Sequence, residues 1–229
     1  MAITHKVLFT SDFHFSHVNQ MYHHPKRREC AGISLDELRS LPKEDLIKRY
    51  DEWLIDLWNS NVNKGDVVYH LGDFCLGNGK RTEYILNRLH GRKMFIRGNH
   101  DQSLNDSNRR FLEGLWDKKE AKFNNQMFSF IDPEETFCVE LEHEPMLAWN
   151  RRPHGACHVH GHTHGSIDRL NEDSLELRVD VGLDGKLANY GFIDIETLYN
   201  HFRSIIEKQG CRTFKDYAEW LMAKQGFRM

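Results

Sequence analysis

Apolar residues in the first hundred positions come in short blocks, and each block runs straight into a polar group. Val7-Leu8-Phe9 leads through Thr10-Ser11 to Asp12, Val67-Val68-Tyr69-His70-Leu71 to Gly72-Asp73, and Met94-Phe95-Ile96-Arg97 to Gly98-Asn99-His100. Such blocks predict buried strands over 6–11, 67–71 and 93–97. Between them Leu46, Tyr50, Trp53, Leu54, Leu57 and Trp58 recur at three- and four-residue spacing, which predicts a helix over 45–59 with one apolar stripe. Ile85, Leu86 and Leu89 predict a second helix over 81–90, capped by Gly91. Strand, helix and strand in alternation give an α/β sheet, whose functional groups gather beyond the carboxyl ends of the strands.

The pattern then changes. Short runs at 120–123, 126–131, 136–142, 156–160, 175–181 and 192–195 predict further strands, hence a second sheet packed on the first. Helices are expected over 196–208 and 213–222, the latter with Phe214, Tyr217, Trp220 and Leu221 as a stripe against its own core. Residues 21–43 read as a polar, irregular insertion in which Lys26, Arg27 and Arg28 are solvated. The 229 residues are expected to form a single domain over 1–229.

Charge and cysteine content narrow the class. The formal net charge of −3 gives bulk electrostatics no reason to favour nucleic acid as a partner. The start has no leader-like apolar stretch, and no run reaches membrane-spanning length. Five scattered cysteines without a CxxC pair argue against a disulfide framework or a thiolate zinc site, so a cytoplasmic location is expected. The oligomeric state is left open.

Five short motifs hold the candidate chemistry: Asp12-Phe13-His14, Gly72-Asp73, Gly98-Asn99-His100-Asp101, His143-Glu144-Pro145 and Gly161-His162-Thr163-His164. Carboxylates, imidazoles and an amide are the donors that hold divalent cations and a bridging water. On an extended segment, alternate residues share a face, so Asp12 and His14 can both reach one metal, and the imidazoles of His162 and His164 lie on one side. Singly, each motif has a plainer reading as a cap, a turn or a surface histidine; the five together favour a metal site. His158 and His160 extend the alternation upstream and read as packed within a strand. His100 is expected to stay off the metals and face substrate, with Asp101 holding its ring. Arg97 and His17 are candidate substrate contacts, though an ion pair and a cap explain them as simply.

In this order, the motifs Asp12-x-His14, Gly72-Asp73, Gly98-Asn99-His100-Asp101, His143 and Gly161-His162-x-His164 resemble the calcineurin-like metallophosphoesterase superfamily, in its small prokaryotic and phage-type form. The resemblance implies an α/β fold, a four-layer α/β/β/α sandwich with two packed mixed sheets. It also implies a pair of divalent ions: Asp12, His14 and His164 on one, Asn99, His143 and His162 on the other, Asp73 bridging, and His100 as the catalytic histidine. Two departures stand out. Glu142 occupies a position usually filled by a small residue, and Phe74-Cys75-Leu76-Gly77 lacks the phosphate-binding arginine of the protein phosphatases.

Two divalent ions bring four positive charges against the two of Asp12 and Asp73, which leaves a site that attracts an anionic ester. The expected activity is hydrolysis of a phosphodiester, a nucleotide or another small phosphoester, with a metal-bridging water as nucleophile. A phosphomonoesterase is the runner-up, and a catalytically reduced interaction scaffold is the reading from another class. Mn²⁺ is favoured because the donors are nitrogen and oxygen without thiolate; Fe or Zn²⁺ would also fit.

Overall fold

The computed structural model describes residues 5–104, 126–131, 136–174 and 176–224. In the first sheet β1 (Val7–Thr10), β2 (Val67–His70) and β3 (Arg92–Phe95) run parallel, and β8 (Ile193–Asp194) pairs antiparallel with β1, giving the order β3-β2-β1-β8. The second has the order β4-β5-β6-β7. There β4 (Gln126–Ile131) and β5 (Thr136–Leu141) are antiparallel, while β5, β6 (Cys157–His160) and β7 (Arg178–Asp180) are parallel. Two mixed sheets with flanking helices therefore match the expected α/β class. The strand expected at 120–123 and residue 175 lie outside the described residues.

Side-chain alternation along β1 separates two cores. Leu8, with Val68, faces α4 (Lys43–Asn61) and α5 (Gly79–Leu86) in one cluster built on Tyr50, Leu54, Trp58 and Ile85. Phe9, with Leu71 and Ile96, faces a cluster containing Val139, Leu141, Val159 and Val179 of the second sheet. The same cluster takes in Leu198 and Phe202 of α7 (Ile195–Lys208) and Phe214 and Leu221 of α8 (Phe214–Lys224). The α8 stripe thus packs on its own core, as its spacing predicts.

Three readings need correction. Residues 21–43 are not irregular: they hold α1 (Gln20–His23, begun just before), α2 (Pro25–Cys30) and α3 (Leu35–Ser40). Helices of four to six residues are too short to show a 3.6-residue period, although Pro25 at the start of α2 and the Ser34–Glu37 capping box of α3 are local start signals. Arg27 is not solvated but fully buried. The helix expected over 81–90 runs instead from Gly79 to Leu86. Asn78 caps its start, and beyond Leu86 the chain tightens, with Arg88 N–H donating to Ile85 C=O. A polar segment, α6 (Asp168–Ser174), gave no apolar period and was not anticipated.

Candidate metal centre

The post-strand loops of β1 and β2 continue to pair: Asp12 N–H donates to Gly72 C=O at 3.0 Å and His14 N–H to Asp73 C=O at 2.9 Å. Ser11 bridges to Gly182, so the rims of the two sheets meet at this point. The meeting is close because glycines stand there. A Cβ on Gly161 would lie 2.0 Å from Ser11 Oγ, and one on Gly98 2.3 Å from Asp73 N. Asp12, His14, Asp73, His162 and His164 all adopt positive φ, between 50° and 70°. Each left-handed non-glycine residue costs on the order of 1 kcal/mol, and such conformations cluster at functional sites. The fold thus aims five predicted donors at one place against local preference.

The donors form two groups around Asp73. In one, His14 Nε2 lies 3.2 Å from His164 Nε2 and 3.5 Å from Asp73 Oδ2, with Asp12 close enough to complete a three-residue cluster. In the other, His143 Nε2 is 3.5 Å from Asp73 Oδ1, and Asn99 Oδ1 is 3.0 Å from His143 Nε2 and 3.1 Å from His162 Nδ1. The two carboxylate oxygens of Asp73 therefore face different groups. All seven predicted donors are brought together. The His100 ring enters neither cluster; it packs edge-on against His14 at 5.3 Å, half-buried, while its backbone N–H donates to Asp73 Oδ1 at 2.8 Å.

Outer partners fix which nitrogen each ring turns inward. His143 Nδ1–H donates to Leu71 C=O at 2.8 Å and His164 Nδ1–H to Asp184 Oδ2 at 2.6 Å, leaving both Nε2 lone pairs for the centre. Asp184 was not anticipated, since a lone Asp in a glycine-rich stretch reads as a turn. It is held by Arg27 at 2.5 Å and by Tyr190 Oη–H at 2.9 Å. Asp180 braces the same region, accepting from Gly165 N–H, Gly182 N–H and Thr163 Oγ1–H. A third cluster, His24 with His164 and Asp184, is also compact. It is a poor cation site, because the Asp184 oxygens already accept from Arg27, Tyr190 and His164 and lie against a guanidinium charge.

Electrostatics fit a cation at the centre. Burial, with Asp180 and Asp73 nearby, pushes the Asp12 carboxyl well above its ordinary range, and its Oδ1 is buried with no hydrogen-bond partner among the described residues. Burial, with the Arg27 charge, lowers His14 well below the ordinary imidazole value, so the ring is neutral and ligand-ready. An orphaned buried carboxylate oxygen beside crowded imidazole nitrogens is what a divalent ion would satisfy.

Six peripheral residues differ from expectation or gain detail. Asp101 does not hold His100: its Oδ1 accepts from Phe74 N–H and Cys75 N–H, its Oδ2 from Gly98 N–H, so it ties the two loops that carry Asp73 and Asn99. Arg97 is exposed and makes no ion pair with Asp101. His17 Nδ1 meets His14 Nδ1 at 3.3 Å, and its ring lies 5.6 Å from His100. Glu142 Oε1 accepts from its neighbour's backbone, His143 N–H, at 3.1 Å. His158 and His160 are buried, with Met146 N–H donating to His158 Nε2 at 3.0 Å.

Two sheets meet at a rim of histidine, aspartate and asparagine whose nitrogen and oxygen donors suit divalent ions. The match to the family described as calcineurin-like phosphoesterase extends over residues 5–179, and the chain belongs to that family. It is 28% identical to the Gene 66 protein of Mycobacterium phage L5 over 227 residues, covering 90% of this chain and 98% of that one. It is 30% identical to the Gene 66 protein of Mycobacterium phage D29 over 196 residues, covering 78% and 87%. A crystal structure of an Aquifex aeolicus protein of unknown function has the same fold, with a TM-score of 0.57 at 18% identity, covering 86% of this chain and all of that one. The protein is accordingly a metallophosphoesterase. No helix among the described residues is long and apolar enough to cross a membrane.

Proposed function

We propose that the protein hydrolyses a small phosphodiester or a nucleotide, using two divalent ions held by the clustered rim. Asp12, His14 and His164 would hold one ion, Asn99, His143 and His162 the other, and Asp73 would give one oxygen to each. The observation carrying this reading is the division of Asp73, with Oδ2 at 3.5 Å from His14 and Oδ1 at 3.5 Å from His143. The ions would supply positive charge for the phosphoryl oxygens and an activated water. Mn²⁺ is the proposed metal: every donor is nitrogen or oxygen, and the thiol of Cys75, two residues past Asp73, is buried with its pKa pushed up to about 11 by that burial.

The chain's own groups would do the rest. His100, outside both clusters, would donate a proton to the leaving alkoxide, a contribution on the order of 10²–10⁴ in rate. His17 would hold the His14 ring in register, and it and Arg97 remain the proposed substrate contacts. A diester is favoured over a monoester because Arg27, the buried cation beside the centre, is turned onto backbone carbonyls, and Phe74-Cys75-Leu76-Gly77 after Asp73 holds no arginine. A singly charged ester needs less neutralisation than a doubly charged one.

The test is a pair of variants. His100→Asn should still bind both ions while losing most turnover of a generic diester; Asp73→Ala should lose ions and turnover together. Normal diesterase activity in Asp73→Ala contradicts the assignment, and a faster rate on a generic monoester than on the diester reverses the substrate preference.

A further inference from the structure

Arg27 belongs to the short α2 helix, yet its guanidinium lies wholly inside the protein. Nη2 donates to Asp12 C=O at 2.6 Å and to Asp184 Oδ2 at 2.5 Å, Nη1 to Phe13 C=O at 3.0 Å and to Tyr50 Oη at 2.8 Å, and Nε to Asp184 Oδ1 at 2.8 Å. Asp184 in turn accepts from His164 Nδ1–H at 2.6 Å. One side chain thus grips the strained Asp12–Phe13 turn, where Asp12 has a φ of 60°, and the carboxylate that sets the His164 ring. The other group of donors has ties of its own, Leu71 C=O on His143 and Asp101 across the β2 and β3 loops, and meets the first through Asp73 and through His162 N–H, which donates to Asp12 Oδ2 at 2.9 Å.

We infer that Arg27 is a positioning residue chiefly for one ion: the segment between β1 and α4 locks the Asp12, His14 and His164 half of the centre through the Arg27–Asp184–His164 chain, while the Asn99, His143 and His162 side chains keep contacts of their own. The inference rests on the two-ion reading above. The fork shape is essential, because two carbonyls, a hydroxyl and a carboxylate are met by one planar group with five fixed donors, which a lysine cannot reproduce. Outer partners of ligand histidines change metal affinity on the order of 10–100-fold. A purely structural arginine would weaken both halves together, through the fold.

The experiment is Mn²⁺ titration of the full chain, followed by electron paramagnetic resonance and isothermal calorimetry. Wild type should take two ions and show a spin-coupled pair. Arg27→Ala should keep one tight ion with the spectrum of an isolated Mn²⁺, and its second step should weaken by about 10–100-fold. Millimolar guanidinium, filling the vacated space, should restore the coupled pair. Adding His143→Ala to Arg27→Ala should abolish the remaining tight ion, whereas adding His164→Ala should not. If Arg27→Ala does not fold, Asp184→Asn, which keeps shape and removes charge, should give the same one-ion spectrum. Two ions bound at wild-type affinity in the folded variant, or equal weakening of both steps, overturns the inference. A wild type that binds fewer than two ions overturns the underlying reading instead, whatever Arg27 does.

Discussion

Asp101 shows how far a residue's chemistry can be read before its surroundings are known. Its type and its place after Asn99-His100 suggested a partner for the His100 ring. In the fold its two oxygens receive three backbone N–H groups, from Phe74, Cys75 and Gly98. Removing them leaves three buried donors unsatisfied, each costing roughly 1–3 kcal/mol. Asp101→Ala should therefore lower the stability of metal-free protein by about 3 kcal/mol or more, read by urea unfolding. A variant that unfolds like wild type but loses only turnover would return Asp101 to the role of His100's partner. The clustering of the seven candidate donors was legible because ligand chemistry admits few residue types and the motifs keep their order. Arg27 and Asp184 were not, since the side chains meet across 157 positions and nothing local marks either one.

At the level of elements, the strands and the long helices were read correctly and the short helices were not. The α4 stripe appears as predicted, with Leu46, Tyr50, Leu54 and Trp58 buried, and Asp51 is drawn inside as well by Ser16 and Arg81. Between β1 and α4, helices of four to six residues give periodicity too few repeats to register, so tertiary contacts through Met21, Arg27 and Leu38 decide their form. The closing helix α8 is a core element: Phe214 lies 5.3 Å from Phe137 and 5.9 Å from Tyr199 between ring centroids. Phe214→Ala should cost about 3–5 kcal/mol, measured by thermal or denaturant unfolding. A change near zero would mean that α8 is a detachable docking helix.

Across the whole molecule, two sheets that share a core come together at a single polar rim, and the histidines of the interior give that arrangement a pH limit. His70 is fully buried among Phe13, Trp58, Phe74 and Phe95, and burial lowers its pKa to about 3. Burial lowers His158 to about 3 too. In the unfolded chain both titrate near about 6.5. The unfolded state thus binds more protons once pH falls below that value, and stability present above it is lost as pH falls towards 3. Each should cost on the order of 3 kcal/mol at about pH 4.5. His70→Phe should reduce this acid loss; an unchanged pH–stability curve in that variant would contradict the assignment of His70 as buried and neutral. The central claim, that distant loops cage a pair of ions, is tested most directly by anomalous diffraction from crystals grown with Mn²⁺. Two peaks, roughly 3.5–4 Å apart as in other two-metal sites, are predicted on either side of the Asp73 carboxylate. One should touch Asp12, His14 and His164, the other Asn99, His143 and His162. A map with no peak there, or with a single ion bound away from Asp73, would contradict it.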